Sequence, residues 1–198
     1  MINQDEIKKC VKQFLTAIGA DVEAEGLKDT PNRVALMCSE IFAGMELTNE
    51  QIVEVCNKVF PDEDIDIYNR RVIKIGGIDA FSFCEHHLAL MYDMKISVSY
   101  IPNDCVVGLS KIVRAVNLVT KRIQLQERIT TDIAYIISKL AHSQDVAVVV
   151  TAKHSCVSMR GVKNIGSHTT TYFFGGEFER DEKLQALAIE RGDMDDSK

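Results

Sequence analysis

A chain of 198 residues with 46% hydrophobic and 26% charged residues has the balance of a globular protein that buries a core, most simply as one domain with a small appendage. Its net charge of -6, with no Lys/Arg block, argues against a nucleic-acid partner, so an anionic ligand would have to be held by a few local cations. The polar start MINQDEIKKCVKQFL lacks the apolar stretch of a signal peptide, and apolar runs such as VAVVV are too short to span a bilayer, so a cytoplasmic protein with no membrane partner is expected.

Residues 3–18 put Ile7, Val11, Phe14, Leu15 and Ile18 on one helical face, with Gly19 as the stop. Thr30 is a good N-cap and Pro31 fits a first helical position; Val34, Met37, Cys38, Ile41, Phe42 and Met45 follow at helical spacing. Thr48 and Gln51 make a capping-box pattern for a third helix that would bury Ile52, Val55, Cys56 and Val59. After Pro61 the period changes. Residues 71–83 are β-branched and aromatic, interrupted by Gly76-Gly77, which marks a bulge or bend. Residues 93–100 alternate, with Met94, Ile96, Val98 and Tyr100 on one face of a half-buried strand.

Two helices follow, over about 109–121 with Leu109, Ile112, Val113 and Val116 inward, and about 124–140 with Leu125, Ile129, Ile133, Ile136 and Leu140 inward. Strands return near 145–153 and 167–175. From Gly176 the chain is charged, with a short helix near 184–189 and a disordered end. The order is three helices and then ββααββ. That predicts an α+β fold, an antiparallel sheet with both helices on one face, and an outer face that oligomerisation would cover. The expected division is a helical segment 1–60, a catalytic domain 61–178 and a charged tail 179–198.

The six cysteines (10, 38, 56, 84, 105 and 156) are expected as thiols, so any special ones would serve a metal or chemistry. Cys84-Glu85-His86-His87 is the densest cluster, and its C-x-x-H spacing lets a tight turn aim Cys84 and His87 at one ion. His154 and Cys156, two apart at a strand end, would project from the same face. Cys84, His87 and Cys156 then form a three-ligand set of the catalytic zinc type, with His154 and His86 beside it. Cys10, Cys38 and Cys56 lie on apolar helix faces and read as packing residues; Cys105 becomes a fourth ligand only in a structural-zinc reading.

Gly108-Leu109-Ser110-Lys111 opens a helix whose first turn offers free N–H groups, a hydroxyl and a cation, with Arg114 one turn on. Arg160 adds a fork suited to phosphate oxygens. Lys111 and Arg114 would equally suit a solvated helix face. Glu127, off the apolar stripe, could accept two bonds from a guanine edge or be an acid favoured by the helix dipole.

The strings CEHH, YIP…GLSK..R, QxQER.T, H.C…RG and TTT..GG, in this order and spacing, resemble the GTP cyclohydrolase I family, as does DTPNRVA in the helical part. The resemblance is strongest over roughly 70–177 and implies a tunnelling fold assembled as a homo-decamer of two stacked pentamers, with active sites between subunits. It implies Zn2+ on Cys84, His87 and Cys156, His154 as the acid that protonates N7 of guanine, and His86 assisting near the ribose. It further implies that Gln126 and Glu127 recognise guanine and that Ser110, Lys111, Arg114 and Arg160 bind ribose and triphosphate. GTP would be opened at its imidazole ring, lose formate and be rebuilt as 7,8-dihydroneopterin triphosphate.

The chain departs from the family pattern after CEHH, where many members have Pro-Phe and a Gly and this one reads Leu-Ala-Leu-Met-Tyr-Asp-Met. Two rivals are a structural zinc module, which needs Cys105 or His154 as a fourth ligand, and another tunnelling-fold enzyme, which should lack Glu127 together with the triphosphate set. The H-x-E and P-C-x-x-C signatures of zinc nucleobase deaminases are absent.

Overall fold

The computed structural model describes residues 1–61 and 71–190, Pro61 by its backbone alone. The disordered end expected at the C-terminus lies outside the described residues, at 191–198, as do residues 62–70 at the start of the expected catalytic domain. The helical part comprises α1 (Gln4–Ala17), α2 (Thr30–Ile41), a 3-10 turn (Ala43–Glu46) and α3 (Asn49–Cys56). After β1 (Val59–Pro61) come β2 (Ile73–Cys84), β3 (Ala89–Tyr100), β4 (Cys105–Val107), α4 (Leu109–Thr120), β5 (Ile123–Gln124) and α5 (Gln126–Leu140). The chain continues through β6 (Val146–His154), α6 (Ser155–Ser158), β7 (Thr169–Phe174), α7 (Glu177–Arg180) and α8 (Glu182–Ile189).

The capping box forms as its sequence dictates, with Thr48 accepting from Gln51 N and the Gln51 side chain accepting from Thr48 N. Asp29, not Thr30, is the N-cap of α2, and Thr30 begins the helix. The apolar faces of α1 and α2 pack on each other only in part. No α1 residue is buried, and Phe14 and Ile18 are each 62% exposed. α3 buries Ile52 and Cys56, but Val55 faces outward.

Arg122 fastens this helical part to the rest. It donates to Gly44 O at 3.1 Å, Leu47 O at 2.9 Å, Asn49 Oδ1 at 2.7 Å and Asp132 Oδ2 at 3.1 Å. The approach requires glycine at 44, because a Cβ there would stand 1.9 Å from Leu118 O.

The five-stranded sheet runs β5-β2-β3-β6-β7, antiparallel except for the short β5 beside β2; β1 and β4 pair separately. The register slips between Ile75/Val98 and Ile78/Ile96, so Gly76-Gly77 is a bulge, with Gly77 at φ 67. The inner face carries Met94, Ile96, Val98 and Tyr100 of β3 and Val146, Val148 and Val150 of β6, packed in one core with Ile112 and Val116 of α4 and Ile129, Ile133, Ile136 and Leu140 of α5. Leu109 is exposed, because it is the first residue of α4 and precedes the helix's buried stripe, while Val113 and Leu125 are half-buried. The outer face is covered in part by the same chain: Phe178 of α7 and Ala188 of α8 pack with Ile101 and Ala147. Lys74 holds the end of α8 through Leu187 O at 2.8 Å and through Glu190 O.

Candidate active site

β2 ends at Cys84 and β3 begins at its register partner Ala89, so Glu85–Leu88 make the turn. Leu88 N bonds back to Cys84 O at 2.9 Å, with Leu88 at φ 50, which brings His87 over Cys84. Downstream, Asp93 takes φ 49, a left-handed conformation that asparagine and aspartate tolerate better than most residues. Its carboxylate accepts from Lys153 Nζ at 2.8 Å. The divergent segment therefore still closes a hairpin.

β6 ends at His154, and the chain turns into α6. Cys156 thus belongs to a helical turn and not to the strand face of His154, a correction to the two-apart reading. Ser155 Oγ donates to Leu90 O at 2.7 Å across that turn. The ligand atoms of Cys84, His87 and Cys156 nevertheless lie within 4.8 Å of one another. Burial pushes the Cys156 thiol up, and the Cys84 sulfur adds to the shift. All six cysteines are free. Two sulfurs crowding an imidazole nitrogen make a donor set that suits zinc, and three protein ligands leave a position for water or substrate.

Gln126, the first residue of α5, is buried. Its amide nitrogen donates to Val150 O at 2.9 Å, Thr169 O at 3.0 Å and Thr171 Oγ1 at 3.3 Å. Because two of these acceptors are carbonyls, the amide is oriented with Oε1 toward His154 Nε2, 2.7 Å away. Nε2 therefore carries a proton, and Nδ1 is the nitrogen that can exchange one with a ligand. Burial lowers the pKa of His154, and the nearby Glu127 carboxylate opposes that shift. The Gln126 side chain thus holds His154, while the resemblance implies a guanine contact for the same residue.

His86 is exposed beside His87, with ring centroids 6.4 Å apart. Arg160, expected on phosphate, donates to His87 Nε2 at 3.2 Å. Glu85 pairs with Arg128 at 2.7 Å, tying the CEHH turn to α5; both lie inside recognised motifs, but a pairing across 43 positions has no local signal.

Ser110, Lys111 and Arg114 sit at the start of α4, whose N-cap Gly108 has no side-chain cap. Ile123 and Gln124, just after α4, pair with Phe83 and Cys84, so it is the far end of α4 that lies near the cysteine turn. At 1.5 Å per residue, the helix puts Lys111 and Arg114 roughly 14 and 9 Å along its axis from that end. Cys105 lies apart from the Cys84 cluster, grouped with Asp104 and His142, and His154 falls outside the group of converging ligand atoms. The structural-zinc reading thereby loses the support of both proposed fourth ligands.

The family model for GTP cyclohydrolase I matches residues 7–192. The chain belongs to the GTP cyclohydrolase I family. It is 49% identical over 185 residues to GTP cyclohydrolase 1 of Ruminiclostridium cellulolyticum, covering 92% of this chain and 94% of that protein. It is 45% identical over 190 residues to GTP cyclohydrolase 1 of Clostridium beijerinckii, covering 95% and 96%. The corresponding protein of Clostridium acetobutylicum is 44% identical over 183 residues, covering 92% and 94%. The mixed fold, with its antiparallel-rich sheet and paired helices, is consistent with the family's tunnelling fold.

Proposed function

We propose that the chain catalyses hydrolytic opening of the imidazole ring of GTP, releases C8 as formate and closes the rearranged ribose onto the freed amines as 7,8-dihydroneopterin triphosphate. The observation that carries this reading is the convergence of Cys84, His87 and Cys156 in a member of this family. Cys84, His87 and Cys156 would hold zinc, which supplies Lewis acidity and so allows water to be activated at neutral pH.

His154 keeps one proton at Nε2 against Gln126 and exchanges another at Nδ1 with guanine N7, which makes C8 electrophilic. Glu127 accepts from N1–H and the 2-amino group, an edge that adenine lacks. His86 assists near the ribose, and Ser110, Lys111, Arg114 and Arg160 bind the ribose and triphosphate.

The site is completed between copies of the chain in a homo-oligomer, a decamer of two stacked pentamers. Two features support this. The cations of α4 stand at the helix end away from Cys84, and Phe14, Ile18, Leu36 and Met37 leave apolar surface open on α1 and α2. The enzyme works in the cytoplasm; among the described residues no helix is long and apolar enough to cross a membrane. The test is incubation of the purified protein with GTP and zinc. Oxidation of the product should give a fluorescent neopterin, and its absence in zinc-loaded, assembled protein would refute the reading.

A further inference from the structure

Away from the Cys84 cluster, the turn before β4 and the end of α5 bring three ligand-type side chains together. Donor atoms of Asp104, Cys105 and His142 lie within 4.8 Å of one another. His142 Nδ1 is 3.1 and 3.3 Å from the two Asp104 carboxylate oxygens and 3.8 Å from Cys105 Sγ. Around a tetrahedral zinc with bonds of about 2.0–2.3 Å, neighbouring donors stand roughly 3.3–3.6 Å apart. His142 is therefore within a few tenths of an ångström of ligand spacing from both Asp104 and Cys105, and the Asp104–Cys105 pair closes the triangle at no more than 4.8 Å.

The donor types agree with the spacing: one sulfur, one imidazole and one carboxylate, the set that borderline-soft divalent ions select. Without an ion, the Cys105 thiol donates to Leu140 O at 3.7 Å and a proton on Nδ1 serves the Asp104 carboxylate; a cation at the centre would be shared by all three groups. Cys105 is buried, while the side chains of Asp104 and His142 are 62% and 54% exposed, so the site opens to solvent and leaves room for a water ligand. His142 just past α5 holds φ 50, and Asp104 precedes β4, so the ligands come from two separate elements.

We propose that Asp104, Cys105 and His142 form a second metal site, distinct from Cys84–His87–Cys156, that takes one thiophilic divalent cation of the zinc class. The ion cross-links the β3–β4 turn to the end of α5. Because β4 leads through Gly108 into α4, it stiffens the base from which Ser110 and Lys111 project.

The experiment measures zinc per chain by mass spectrometry after equilibration with zinc and removal of loosely held ion. It uses the wild-type chain, Cys156→Ala, His142→Asn and Asp104→Asn. Asparagine at 142 tolerates the left-handed backbone while removing the ring nitrogen. Wild type should hold about two ions per chain, and each single variant about one, because a structural ion leaves when its ligands are cut. Zinc added to metal-free Cys156→Ala should raise its Tm, and the rise should vanish when His142→Asn is combined with it. About one ion in wild type with none in Cys156→Ala, or unchanged content in both His142→Asn and Asp104→Asn, would overturn the proposal without touching the catalytic assignment.

Discussion

Replacing Gln126 by alanine separates two roles for this residue. If the side chain holds His154, the loss falls on turnover; if it reads guanine, the loss falls on substrate affinity. Gln126→Ala strips His154 Nε2 of its acceptor at 2.7 Å and removes a donor from Val150 O and Thr169 O; Thr171 Oγ1 keeps Thr130 at 2.6 Å. The buried acceptors cost about 1–3 kcal/mol of stability, so the assay is run where urea titration shows the variant folded. A hydrogen bond to a group that becomes charged is worth about 1.5–3 kcal/mol. At 1.36 kcal/mol per tenfold, kcat should fall by about 10- to 150-fold. KM for GTP should stay within about threefold, since no substrate contact is lost. Steady-state kinetics on zinc-replete protein gives both numbers. A KM raised tenfold or more at unchanged kcat would refute the positioning role and return Gln126 to the base-recognition site.

Three further perturbations test neighbouring parts of the account. Cys156→Ala removes one of three ligands, so zinc at the Cys84 site and formate release should both disappear; metal analysis with competing chelator checks the first and turnover the second. His154→Ala should lower turnover by about 10²–10⁴-fold while Cys84-site zinc, oligomer size and GTP binding persist, measured on one preparation. Zinc loss in that variant would make His154 a ligand. Arg122→Ala leaves Asp132, only 17% exposed, without its countercharge and with Asn49 Nδ2 as its remaining donor, and strips the carbonyls of Gly44 and Leu47 of a donor. Urea unfolding should show a loss of about 3–5 kcal/mol, and a change under 1 kcal/mol would mean that the clamp is dispensable.

Local signals were legible wherever the physics is local. The Thr48/Gln51 capping box, the Gly76-Gly77 bulge and the alternation of Met94, Ile96, Val98 and Tyr100 appear as read, because hydrogen-bonding reach and side-chain period are properties of a few neighbouring residues. The C-x-x-H spacing likewise converged Cys84 and His87, because four residues suffice for the turn. Period alone misjudged Leu109 and Val55, which sit on exposed parts of otherwise apolar helices. The two-apart rule for strands also put Cys156 on the face of His154, where the chain has already turned into a short helix.

What was not legible depends on distant pairings. The Arg122 clamp joins positions 73–78 residues apart, and the cover of the outer sheet face by Phe178 and Ala188 joins the end of the chain to β3 and β6. The commitment of Gln126 to His154 was hidden for the same reason. A glutamine at a helix start reads as a surface polar residue until Val150, Thr169 and Thr171 close around its amide.

The central claim is that water opens the guanine ring at C8, and the most direct measurement follows that carbon. GTP carrying a 13C label at C8 is incubated with zinc-loaded protein and watched by NMR. The account predicts labelled formate in step with GTP consumed, and an unlabelled pterin triphosphate. Consumption of GTP with the label retained in the nucleotide product, or no consumption by folded, zinc-replete, assembled protein, would contradict it.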